Sequence, residues 1–263
     1  MVTDITASDI ISWFREDIAP KIGHRLEIVP HGGTALALRG LKGGTKDVDI
    51  NTTTRGWFDE LCKILESIGY KKEWDLMAWP GREHNIRYVS ERYVVDTVGV
   101  HFPTWNNWYI TDTMKRRADH LKFGELIVVL PDPETIFLFK TYPCRETDIV
   151  DLDHIQSETP LDVVYLKESF EEQETLLRNR EDIDPVVSIV NLRVRFRLSL
   201  STLRKMSENK RIGMLHDFAS IKSNALDIRL DDEKLAKMLS ASSLEWERYI
   251  HRNHGKFSER LGL

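Results

Sequence analysis

Past Pro160 the chain almost stops using glycine. Only Gly213, Gly255 and Gly262 come after it, and the alternation of apolar and polar residues that marks the earlier part gives way to helical spacing. A period of two belongs to half-buried strands and a period near 3.6 to amphipathic helices. One uniform architecture therefore cannot serve the whole chain. The expectation is an α/β half with a mixed sheet, residues 1–159, followed by an all-α half, residues 160–263. At 263 residues, one large or two modest domains are expected.

Within the first half, Ser8 is placed to cap a helix running to Pro20, with Ile10, Ile11, Phe14 and Ile18 at helical spacing. Arg25 to Val29 reads as a strand, Thr34 to Leu41 as a short helix, and Asp47 to Asn51 as a strand with one polar face. Trp57 to Ile68 is amphipathic, with Gly69 where a C-cap belongs. His84 to Val89 and Tyr93 to Val100 pair across a polar turn at Ser90-Glu91-Arg92. Leu126 to Leu130 is another strand, and Pro133 opens a helix that carries Lys140. Thr147 is placed to cap a further helix holding Asp148, Asp151 and Asp153. In the second half, Leu161 to Arg180, Pro185 to Met206 and Asp231 to Arg252 read as helix-rich.

The chemistry concentrates in HGGTALALRGLKGGTKDVDI, residues 31–50. Gly32 and Gly33 lack side chains, so backbone N–H groups there can closely approach a polyphosphate, and Thr34 adds a hydroxyl. Asp47 and Asp49 stand two apart on a strand, so both carboxylates leave the same face, where hard oxygen ligands suit a pair of Mg²⁺ ions. The bland alternatives are a plain turn for the glycines and a solvated strand face for the acids. Asp96, flanked by Val94, Val95 and Val98, is costly to bury unless it meets a cation or donors; a change of strand register would turn it outward.

Residues 31–50 resemble the hG[GS]-x(9–13)-Dh[DE]h signature of the polymerase-beta-like nucleotidyltransferase superfamily. The resemblance implies that Asp96 is the third carboxylate. It implies that Asp47 and Asp49 bridge two Mg²⁺ ions (Mn²⁺ being a substitute), while Asp96 helps activate an attacking hydroxyl. KTYPCRETDIVDLD is similar to the AbiEii/MenT-like, toxin-type branch, which would have Lys140 contact a triphosphate and Asp148 face the active site. Thr147 departs from that branch, where a Lys often precedes the Asp. The activity implied by resemblance is transfer of a nucleoside monophosphate from an NTP to a hydroxyl on RNA (a tRNA 3′ end, for instance) or on protein, with an antitoxin as a partner. Two other readings stand beside it: a non-catalytic nucleotide-binding or regulatory module of the same fold, and a helical interaction protein with an α/β accessory domain.

From the residues alone, Lys140 is equally a snorkelling lysine at a core edge, and Arg145 an ion-pair partner of Asp148 or Asp151. The Asp148-Asp151-Asp153 cluster lacks the glycine and glutamate of a calcium loop. His31 and His84 can donate to phosphate or serve as hydrogen-bonded structural residues. Trp105, Asn106, Asn107, Trp108 and Tyr109 offer either stacking surfaces or core.

The formal charge of −5 gives the molecule no general attraction for nucleic acid, so any such surface must be local. Arg193, Arg195, Arg197, Arg204, Lys205, Lys210 and Arg211 are the candidate patch for an RNA acceptor, against the simpler reading of a solvated helix face. Cys62 and Cys144 are too few for a disulfide framework or thiolate metal site. No signal peptide and no membrane span is expected, and a reducing cytoplasm fits best.

Overall fold

The computed structural model describes residues 4–76, 85–98, 108–181, 183–207, 209–240 and 243–263. It opens with helix α1, Ala7–Trp13, whose N-cap is Thr6 rather than Ser8. Thr6 and Asp9 form a capping box that satisfies two backbone donors at once. The helix runs on as a π-helical stretch, Phe14–Ile18, and a 3₁₀ turn, Ala19–Lys21.

Seven strands form one mixed sheet: β1 Leu26–Pro30, β2 Val48–Thr52, β3 Lys71–Leu76, β4 Asn85–Val89, β5 Val94–Val98, β6 Asp119–Phe123 and β7 Leu126–Leu130. Their spatial order is β3-β4-β5-β2-β1-β7-β6. β1 runs parallel to β7 and β2 parallel to β5, while every other neighbouring pair is antiparallel. Helices α2, Gly32–Leu38, and α3, Arg55–Ser67, come after β1 and β2, and α4, Asp112–Arg117, precedes β6. α2 begins at Gly32 rather than Thr34, so the two glycines form its first turn.

The two sheet faces differ in kind. Val48 and Ile50 of β2, Val95 of β5, and Leu26 and Ile28 of β1 join Trp13, Phe14, Phe58, Leu61 and Leu65 in the principal core. Since successive side chains alternate faces, Asp49 between Val48 and Ile50, and Asp96 after Val95, belong to the opposite face. On that face Val29, Val129 and Ala118 make a smaller apolar cluster. Arg39 anchors the end of α2 to β7 by donating to the carbonyls of Pro131 and Leu130, at 2.8 Å each.

The remaining described elements are helical: α5 Pro133–Thr141, α6 Glu146–Glu158, α7 Val163–Arg178, α8 Pro185–Met206, α9 Lys210–Asn224, α10 Asp232–Ser240, α11 Ser243–Arg252 and α12 His254–Leu261. The chain divides into two compact units, Met1–Phe139 and Lys140–Leu263. The division falls inside α5, ahead of the Thr159–Pro160 boundary expected from composition. The reason is that the 140–159 stretch binds to α8: Ser199 donates to the Thr141 carbonyl at 2.5 Å, Arg195 donates to that of Tyr142 at 3.2 Å, and α6 packs on α8. α8 is the axis of this second unit, touching α6, α7, α9, α10, α11 and α12. Phe196 on α8 meets Phe170 on α7 with ring centroids 4.6 Å apart. Among the described residues no helix is long and apolar enough to cross a membrane.

Candidate metal centre

β1 ends at Pro30, and the His31 N–H continues its pairing by donating to the Asp49 carbonyl at 3.1 Å. The chain then turns into α2 at Gly32, whose φ is +55°. A Cβ at that position would lie 2.5 Å from Asp49 Oδ2. Glycine is therefore required twice over, by backbone sign and by the carboxylate pressed against it. At Gly33 a Cβ would run into the Thr45 hydroxyl. Thr45 is itself fixed by two backbone hydrogen bonds with Ile5, at 2.7 and 2.9 Å.

Thr34 is fully buried. Its hydroxyl accepts from the Asp49 N–H at 2.8 Å and donates to the Asp47 carbonyl at 3.3 Å. The expected phosphate donor is thus engaged with backbone, and what it does here is hold the segment that carries both acids. In short, the glycine turn and the Asp-x-Asp strand are one unit of structure.

β2 and β5 lie side by side in parallel, and their register sets Asp49 directly beside Asp96. Asp47 sits one residue ahead of β2. One carboxylate oxygen from each of Asp47, Asp49 and Asp96 lies within 4.8 Å of the others, and all three residues are half-buried. Three hard oxygen donors at that spacing fit around a divalent cation with ligand distances near 2.1–2.6 Å. Asp96 Oδ1 is buried with no hydrogen-bond partner among the described residues, as an oxygen waiting for a cation would be. Burial pushes the Asp96 carboxyl above the usual carboxylate range; Arg87 pulls it down, and Asp47 and Glu73 add to the rise. No family model, curated protein or solved structure matches this chain.

Three further residues of this face are not among those expected from the sequence. Arg87 lies opposite Asp96 in the β4–β5 register, with Nε 3.6 Å from Asp96 Oδ1. The polar turn at 90–92 carried that signal, since a hairpin closed there places 87 across from 96. Glu73, at a register shift of β3, approaches Arg87 at 3.3 Å. Asn51 succeeds Asp47 and Asp49 by the same period of two, and its Oδ1 is buried with no hydrogen-bond partner among the described residues.

Lys140, Arg145, Asp148 and Asp151 do converge, but on one another. Lys140 Nζ, buried, lies 3.0 Å from Asp148 Oδ1 and 2.7 Å from Asp151 Oδ2. Arg145 Nε lies 2.7 Å from the other oxygen of Asp148, which has no solvent exposure. In this structure Lys140 and Asp148, expected at a triphosphate and an active site, are held together in an internal ion-pair cluster.

The basic patch divides: Arg193, Arg195 and Arg197 are engaged with other parts of the unit, while the four residues after them in the patch are exposed. Arg193 is buried in an ion pair with Glu174, Arg195 lies over the Tyr142 ring at 4.8 Å, and Arg197 is 2.6 Å from Asp232. Arg204 pairs with Asp217 at 3.2 Å and stays exposed, as do Lys205, Lys210 and Arg211. Trp108 is fully buried, with its ring centroid 6.3 Å from that of Phe139, so it belongs to core rather than to a stacking platform. His84, Trp105, Asn106 and Asn107 lie outside the described residues.

Proposed function

We propose that this chain is a metal-dependent nucleotidyltransferase whose reaction centre is the face bearing Asp47, Asp49 and Asp96. The observation that carries the reading is the meeting of those carboxylates beside a glycine turn built against Asp49. Held by these acids, Mg²⁺ or Mn²⁺ ions supply neutralisation of the charge that develops on the transferred and leaving phosphates, and they lower the acceptor hydroxyl's pKa. In the reaction the acceptor oxygen forms a bond to the α-phosphorus of an NTP. The bond from that phosphorus to the β-phosphate oxygen breaks, pyrophosphate leaves with the electron pair, and the hydroxyl proton passes to solvent.

The chain's own groups supply placement. Gly32 keeps the approach to Asp49 free of side chain, so that a substrate phosphate can come close to the backbone. Thr34, through its two backbone hydrogen bonds, fixes the spacing of Asp47 and Asp49. Arg87 balances the charge on Asp96. Membership of the polymerase-beta-like superfamily and of its toxin-type branch is part of this proposal, as is an RNA or protein hydroxyl for acceptor.

The test is incubation of the full chain with each labelled NTP, Mg²⁺ and total RNA. Label is expected on RNA or on protein, and Asp49→Ala is expected to remove it by at least about a hundredfold, the scale of losing an electrostatic catalytic group. Absence of transfer with every NTP, or transfer that survives Asp49→Ala, would overturn the reading.

A further inference from the structure

Arg87 and Asp96 present an unusual pair. Arg87 Nε and Asp96 Oδ1 are both buried, both without a hydrogen-bond partner among the described residues, and 3.6 Å apart. That separation is beyond a good hydrogen bond, so the attraction is Coulombic and carries little directional hold. The guanidinium has a second anion within reach: Glu73 Oε2 at 3.3 Å from the same nitrogen. Glu73 is the extra residue of a β-bulge opposite Arg87, and its side chain is half exposed. Arg87 therefore stands between one acid that belongs to the triad and one that does not.

An acidic trio whose oxygens crowd within 4.8 Å repels itself when no external cation is bound. A resident cation at the edge of the trio relieves that repulsion. The same cation opposes the arrival of a divalent ion, unless it has somewhere else to go. We propose that Arg87 is the internal counter-ion of the triad, neutralising Asp96 in the empty site and passing to Glu73 as a divalent cation takes Asp96. The inference rests on the metal-site reading above and adds to it a displaceable occupant that sets the metal affinity.

The test is titration of metal-stripped, full-length protein with Mn²⁺, reading free Mn²⁺ by electron paramagnetic resonance. Arg87→Gln removes the competing charge and is expected to bind Mn²⁺ about fivefold tighter, the effect of one unit charge at roughly 4 Å under solvent-like screening. Arg87→Lys keeps the charge and is expected to stay within about twofold of the wild type. Glu73→Gln leaves the guanidinium with Asp96 alone and is expected to bind Mn²⁺ about fivefold more weakly. Equal or weaker binding by Arg87→Gln, or unchanged binding by Glu73→Gln, overturns the proposal. Should Arg87→Gln fail to fold by circular dichroism, Glu73→Gln, at an exposed position, decides alone. Binding that Asp49→Ala abolishes but that ignores Arg87 and Glu73 keeps the metal centre and discards the counter-ion. A wild type that takes up no Mn²⁺ discards both.

Discussion

Gly32 shows how closely the site is tied to single residues. Its positive φ and the 2.5 Å gap between a built Cβ and Asp49 Oδ2 make two independent demands. Gly32→Ala is expected to lower stability by about 2 kcal/mol, one part from the left-handed backbone and the rest from moving the carboxylate. The same variant is expected to weaken Mn²⁺ binding, because Asp49 cannot keep its place. Chemical denaturation and a Mn²⁺ titration check the two effects, and a variant as stable as the wild type contradicts the close approach. Thr34 is tied to the same strand: the sequence offers its hydroxyl as a phosphate donor, yet both of its hydrogen bonds go to the β2 segment. Nothing local in the sequence distinguishes these uses, since the partner backbone lies beyond a loop.

α5 and α6 are joined by an ion-pair cluster in which Lys140, Asp148 and Asp151 are buried and Arg145 covers Asp148 from an exposed position. Burial works against the Lys140 ammonium, but Asp148 and Asp151 outweigh it and hold its pKa above the usual lysine value. Burial also works against the Asp148 carboxylate, and Arg145 and Lys140 outweigh it and hold that pKa below 3.8. Asp148 accordingly contributes stability at pH values above 3.8, and the contribution is lost as pH falls through its lower folded value. Lys140 contributes below 10.5 and loses its contribution as pH rises through its higher folded value. Lys140→Met should therefore cost about 3 kcal/mol at neutral pH by leaving buried carboxylates undercompensated. In urea unfolding the gap between variant and wild type should narrow as pH is taken below 3.8. A gap that is constant with pH contradicts the ion-pair account.

Across the whole molecule, what could be read in the sequence was whatever announces itself locally. β7 and α8 fall on the residues expected, and the β4–β5 hairpin closes at its polar turn, because apolar runs bounded by proline or turn residues fix those elements. β3 (KKEWDL) and β6 (DHLKF) carry no clear strand signal because they are the outer strands of the sheet, where lysines and acids replace the apolar alternation. The triad was legible because Asp-x-Asp fixes a face and an acid among valines demands a partner. Its neighbours Arg87 and Glu73 needed strand order and a bulge, which are properties of the assembled sheet. Arg193 and Arg197 of α8 read from the sequence as part of a basic face, and their partners Glu174 and Asp232, which come from other helices, carry no local signal.

If Asp47, Asp49 and Asp96 form one cation site, a divalent ion must stabilise the fold through all three. Thermal unfolding of the metal-stripped chain with and without Mn²⁺, for wild type and Asp96→Asn, decides whether it does. Asp96 is raised above 3.8 by burial and by Asp47 and Glu73, so its contribution to stability is present below 3.8 and is lost as pH rises through the raised value. Without metal at neutral pH, Asp96→Asn should therefore melt higher than wild type. With Mn²⁺ the wild type should gain several degrees by mass action and the variant should not move. A wild type indifferent to Mn²⁺, or an Asp96→Asn variant that gains as much, shows that the three carboxylates do not share a cation.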